Sequence, residues 1–349
     1  MELQNLIQDL ISLPGPPGQE QAVREYLSHY LNRIGYSSTT DEKGNLKVVI
    51  EGDPNLPSVL VTAHMDEIAL MITKMEDNGI IRIASLGGAY PWKWGESPVR
   101  ILTSTGQLDA ILSFGSIHTN HPSSVAEQAR EKPLEWKHAH LFTGMNKQEL
   151  EAAGIRPGLR VILAPSRRQL TVLKNHFTGP FLDDRADVAA MLLAMEEMKQ
   201  SPVMNAGKIT FLATVSEEVG GEGARFHLVR NPAEICIALE IGPTTPDAVF
   251  EIDENPTIWV RDAYAAMESR DADMLAACCK DIGITPHWQY LSRGGSDASC
   301  TAAQGLCGRP ITLGLPVENS HGFEIIHKDA IHKLAALLVH TLRTCATCK

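Results

Sequence analysis

Long apolar runs are missing from this chain of 349 residues. None approaches the roughly 20 consecutive apolar residues needed to cross a bilayer, so no membrane partner is expected. Clustered Lys and Arg are missing too, and the net charge of -11 excludes a nucleic-acid surface as the organising feature. The first residues, Met1-Glu-Leu-Gln-Asn, lack the basic start and apolar core of a secretion signal. Cysteine is sparse: seven residues, an odd number, without framework spacing, as expected for reduced thiols in the cytoplasm. Cys345-Ala-Thr-Cys348 has redox-motif spacing, but no second pair and no following helix accompany it, so it is read as a tail feature. Internal repeats and low-complexity segments are absent as well.

What remains is an ordinary globular composition, 44% hydrophobic and 21% charged, with length enough for two domains or one domain carrying an insertion. Leu3, Leu6, Ile7, Leu10 and Ile11 have helical spacing that stops at Pro14, and a second amphipathic helix is expected over 20–31. Strands are expected over 46–50 and 59–63. From about Thr73 the texture changes to short β runs (80–84, 99–103, 110–114, 160–163) between Gly, Pro and Asn turns. Residues 118–140 lack a period and read as a long loop. After Asp183-Asp184 the pattern becomes a helix over 185–200, a strand from Ile209 to Val215, a strand over 235–239, a helix over 263–281 and a strand over 310–316. The expectation is an α/β fold, a mostly parallel sheet sandwiched by helices. A catalytic domain would comprise 1–72 and 177–349, and a small β-barrel-like insertion 73–176.

Glu217 and Glu218 lie directly behind the buried run Ile209–Val215 and before the turn Gly220-Gly221. Adjacent like charges at a strand end are costly unless a cation sits between them. One such pair would be a solvated turn. Other expected strand ends carry the same chemistry: His64, Asp66 and Glu67 after one, Glu240 after another, and His321 past the last, while Asp183-Asp184 opens a helix. In parallel sheets ligands bind beyond the strands' carboxyl ends. Imidazole and carboxylate without thiolate suit Zn, Co or Mn. Two cations roughly 3.5–4 Å apart, bridged by a carboxylate and a water, would use all these residues and hydrolyse an amide. His64 would bind one metal, with Asp66 holding its second nitrogen. His321 would bind the other, and of Glu217 and Glu218 one would ligate while the other takes the water's proton. Met65, Met71 and Met75 are packing residues in this scheme.

Thr62-Ala-His64-Met-Asp66-Glu67, Asp183-Asp184-Arg185, Ser216-Glu217-Glu218-Val-Gly220 and Arg293-Gly294-Gly295-Ser296-Asp297-Ala298 resemble, in order, the motifs of the tetrahedral (TET) aminopeptidases, dinuclear metallopeptidases that include glutamyl and deblocking enzymes. The resemblance covers nearly the whole chain. It implies His64, Asp183, Glu218, Glu240 and His321 as ligands, Asp183 (the first acid of its pair) as the bridge, and Glu217 as general base. It also implies an assembly-forming β insertion, a homo-oligomer of tetrahedral dodecamer type, short peptide substrates and a flexible pocket loop at Gly294-Gly295. Two departures stand out: Glu240 replaces the usual Asp, with Asp247 as fallback, and His321 lies in an unusual Ser320-His321-Gly322 context, with His327 the weaker candidate. The competing readings are a dinuclear hydrolase or deacylase of a non-peptide amide, a non-catalytic assembly protein, and a two-carboxylate glycosidase, which the flanking histidines disfavour. Arg293 alone does not fix the preferred N-terminal residue.

Overall fold

A computed structural model describes residues 2–346, which divide into two compact units: the chain up to Asp66 with the chain from Leu170 onward, and Glu67–Gln169 between them. The division falls a few residues before the expected 73 and 176, because the first strand of the insertion begins at Ala69 and the hairpin Thr171–Leu173/His176–Gly179 pairs with Glu324–His327 of the larger unit.

In the larger unit, eight strands form one sheet in the order Thr39–Thr40, Leu46–Ile50, Ile209–Thr214, Val59–His64, Ile235–Pro243, Arg309–Val317, Thr257–Arg261, His287–Tyr290. The four strands from Ile209–Thr214 to Arg309–Val317 run parallel, and antiparallel pairs flank them. Their near-continuous apolar sequences follow from burial on both faces. Alternation then sorts the side chains. Val59, Val61, Ala63, Phe211, Ala213, Ile235, Ile237 and Leu239 pack into the main core on one face. Leu60, Leu212, Cys236 and Ala238 point the other way, to a smaller core with Leu228 and Ala298. Helix Leu3–Ser12 buries Leu6, Ile7, Leu10 and Ile11 on the main face, joined by Leu182–Gln200 and by Ala330–Cys345 with its apolar stripe Leu334, Leu337, Leu338 and Leu342.

Glu67–Gln169 contains a closed antiparallel barrel in the order Ala69–Met75, Ile81–Leu86, His140–Phe142, Gln107–Ser113, Ser97–Leu102, Arg160–Leu163. Ile81, Ile83, Val99, Ile101, Ala110, Leu112 and Leu141 fill it by strict alternation. Glu67 and Arg168 close a fully buried bidentate pair at 2.6 and 2.7 Å.

Several local expectations are corrected. The stretch 118–140 holds a helix, Val125–Glu131, whose N-cap Ser124 accepts from Glu127 N, a Ser-x-x-Glu signal that was available in the sequence. The helix expected from 263 starts at Ser269, and strands Thr257–Arg261 and His287–Tyr290 were not anticipated. The strand expected to stop at Leu239 runs to Pro243, so Glu240 lies within it. Cys345 is buried in the last helix, and Cys348 lies outside the described residues. No helix among the described residues is long and apolar enough to cross a membrane.

Candidate metal centre

Parallel register assembles the site. Thr214 pairs with His64, so the segments leaving these two strands, Met65–Asp66 and Val215–Glu218, start side by side. Glu240 pairs with Gly314 on the next strand, and His321 follows three residues after that strand's loop begins at Glu318. Three non-glycine residues here take left-handed backbone: Phe181 (φ 61°), Ser216 (φ 55°) and His321 (φ 60°). Each conformation costs about 1–3 kcal/mol, and such strain gathers where geometry matters more than local ease. The Asp183–Asp184 peptide bond is cis.

Asp183 stands between two imidazoles. Its Oδ1 lies 3.1 Å from His64 Nε2 and its Oδ2 lies 3.3 Å from His321 Nε2. Two groups of metal-capable atoms share it: His64, Asp183, Asp184 and Glu240, and Asp183, Glu218 and His321, each group lying within 4.8 Å. Glu218 Oε2 approaches His321 Nε2 at 3.9 Å. Every acid of these groups is buried or half-buried.

So many carboxylates out of water strain the electrostatics. Burial pushes the Glu217, Glu240 and Asp184 carboxyls well up, reinforced by neighbouring acids. It raises Glu218 to about 7 against the pull of His321, and Glu324 to about 8. Burial also opposes the low value of Asp183, but hydrogen bonds to His321 and His64 override it. At His64, burial disfavours the charged ring, yet Asp184, Asp183 and Asp66 together hold its pKa well above the usual value. Asp184 Oδ1 and both oxygens of Asp187 are buried with no N–H donor, and the Asp187 carboxyl faces that of Asp184. Carboxyl oxygens buried in that number are unfavourable without protons or a cation, and a divalent ion at the two ligand groups would supply the cation. The donor set of imidazole and carboxylate oxygen fits divalent Zn, Co or Mn.

A second layer fixes these groups. The Asp66 carboxylate accepts from Glu217 N at 2.9 Å and Glu218 N at 3.1 Å. The contact to the second nitrogen of His64 comes from the Asp66 main-chain carbonyl, 3.1 Å from Nδ1, while Asp66 Oδ1 is 3.6 Å away. Asp184 accepts from His64 N at 2.7 Å, and Glu324 from Asp183 N at 3.0 Å and His321 N at 2.8 Å. Asp297 accepts from Thr214 Oγ1 at 2.6 Å.

His64, Asp183, Glu218, Glu240 and His321 thus come together, with Glu217 and Asp66 beside them. Asp247 is exposed, and His327 packs edge-on to His176 outside both groups. Arg293 is exposed, and the Tyr264 ring packs so closely on Gly295 that a Cβ there would lie 2.3 Å from Cδ2. Sequence reasoning missed Asp184 as a member of the first group, and Glu324. Glu324, three residues after His321 and at the start of a strand, was the one signal for the latter.

The family model for M42 glutamyl aminopeptidase matches residues 44–337. A lysyl aminopeptidase of Pyrococcus furiosus is 26% identical over 240 residues, covering 68% of this chain and 65% of that protein. A glutamyl aminopeptidase of Lactococcus lactis is 24% identical over 335 residues, covering 93% of this chain and 91% of its own. Among solved structures, the TET1 peptidase of Pyrococcus horikoshii, described as assembling into a tetrahedron or a large octahedral shell, superposes with TM-score 0.84 at 23% identity, over 98% of this chain and 99% of its own.

Proposed function

The chain belongs to the M42 glutamyl aminopeptidase family, and from that premise we propose that it is a metal-dependent aminopeptidase that releases N-terminal residues from short peptides. The observation that carries this reading is the pair of ligand groups sharing Asp183, with Glu217 alongside. His64, Asp183 and Glu240 would hold one divalent ion, and Asp183, Glu218 and His321 the other. When bound, Zn, Co or Mn ions supply Lewis-acid polarisation of the scissile carbonyl and acidify water.

The chain's own residues then divide the work. Glu217 is the general base: it takes a proton from the attacking water and returns it to the departing amine. Burial and the neighbouring acids raise its carboxyl from the ordinary glutamate value. Asp66 fixes the main chain of Glu217 and Glu218, so base and ligand keep their separation. Glu324 does the same for Asp183 and His321. We assign a homo-oligomeric state to the protein, by likeness to the TET1 peptidase. The cytoplasm is the proposed compartment, supported by six free cysteines among the described residues.

A substrate panel tests the reading. Aminoacyl amides with a free α-amine should be cleaved in the presence of Co²⁺, Mn²⁺ or Zn²⁺, and their N-acetylated counterparts should not. Cleavage confined to the acylated compounds would favour a deacylase instead.

A further inference from the structure

Glu20 is a buried acid remote in sequence from every motif above, 4% exposed. It sits at the N-cap of helix Gln21–Arg33, yet its side chain makes no capping hydrogen bond there. Instead, Oε1 accepts from Gly18 N at 2.8 Å, Ser216 N at 3.2 Å and Ser216 Oγ at 3.4 Å. Ser216 is one of the left-handed residues, φ 55°, and it immediately precedes Glu217. Three successive main-chain N–H groups, of Ser216, Glu217 and Glu218, therefore point into two buried carboxylates, Glu20 and then Asp66. Downstream, Glu217 O accepts from Gly220 N and Gly221 N at 2.8 and 2.9 Å, closing the turn from the other side.

Burying an acid beside a second acid is unfavourable unless both are hydrogen-bonded. Glu20 is displaced from its capping role and spent on a strained residue. We propose that Glu20 is a positioning residue for the general base: by holding Ser216 left-handed, it sets the direction in which Glu217 leaves the strand. This rests on the aminopeptidase reading and the role of Glu217 within it. A misplacement of about 1 Å in such a group lowers turnover by up to ~10²-fold. Glutamine at position 20 keeps an acceptor oxygen, so the conservative change should be tolerated.

The experiment compares Glu20→Ala and Glu20→Gln in the metal-loaded enzyme, measuring kcat and KM on an aminoacyl amide, bound metal per chain, and melting temperature. Glu20→Ala should lower kcat by roughly 10- to 100-fold, with KM within about twofold and metal content unchanged. Glu20→Gln should restore kcat to within about threefold of the parent. In a Glu217→Gln background, Glu20→Ala should reduce the residual rate no further. If Glu20→Ala does not fold, Glu20→Met, which fills the volume without an acceptor, carries the same expectations. The proposal is overturned if kcat survives loss of the acceptor, if Gln is as poor as Ala, if metal is lost in proportion to rate, or if the loss persists without Glu217. A parent enzyme that cleaves no aminoacyl amide would instead refute the aminopeptidase reading.

Discussion

Glu217 and Glu218 share a peptide bond and the same Asp66 anchor, yet their carboxylates face different neighbours. Glu218 belongs to the group with Asp183 and His321, while Glu217 belongs to neither ligand group and feels Asp297 in addition to the His64 and Asp66 charges that act on both. Replacing Glu217 by Gln keeps the shape and removes only the base. The expected outcome is a kcat about 10²–10⁴-fold lower, with bound metal and KM retained, measured by steady-state kinetics and elemental analysis. Glu218→Gln should instead lower metal content, because its carboxylate belongs to a ligand group. The residue scale is also where sequence reading reached furthest. Strand-end acids and histidines are visible in sequence because a parallel sheet delivers them all to one edge. Glu20 and Glu324 were hard to read as site residues because each also holds a main-chain N–H group far away in sequence, Ser216 N for Glu20 and Asp183 N for Glu324.

At the scale of elements, burial on both faces made the central strands readable as continuous apolar runs, Ile209–Thr214 and Val59–His64 above all. The penultimate strand Thr257–Arg261 and the edge strand His287–Tyr290 mix polar residues with aromatic ones, so they lacked that continuous apolar signal. Short barrel strands such as His140–Phe142 hide for another reason, since three residues cannot establish a period of two. Within the barrel unit, the Glu67–Arg168 pair is fully buried and bidentate. Arg168→Ala would strand the Glu67 carboxylate without its guanidinium. It should destabilise that unit by about 3–5 kcal/mol, read as a shifted denaturation midpoint. Retention of parental stability would show that Glu67 finds compensation elsewhere.

The whole molecule invites a prediction of size. For the tetrahedral dodecamer that the resemblance to the TET aminopeptidases implies, twelve chains of 38.1 kDa amount to about 460 kDa. Native mass spectrometry or light scattering should find that mass, and a monomer of 38.1 kDa would show that the chain does not assemble. The larger unit meanwhile carries the excess of buried acid at Asp183, Asp184, Asp187, Glu217, Glu218, Glu240 and Glu324. Ligand chemistry, electrostatics and proposed activity all depend on balancing that cluster with cations. Metal titration tests it most directly: strip the purified protein with a chelator, return Co²⁺, Mn²⁺ or Zn²⁺ stepwise, and follow aminoacyl-amide cleavage against bound ion. The stripped protein should cleave nothing, activity should recover until two ions are bound per chain, and the melting temperature should rise with occupancy. Full activity in the stripped protein, or no ion bound at any concentration tested, would contradict this.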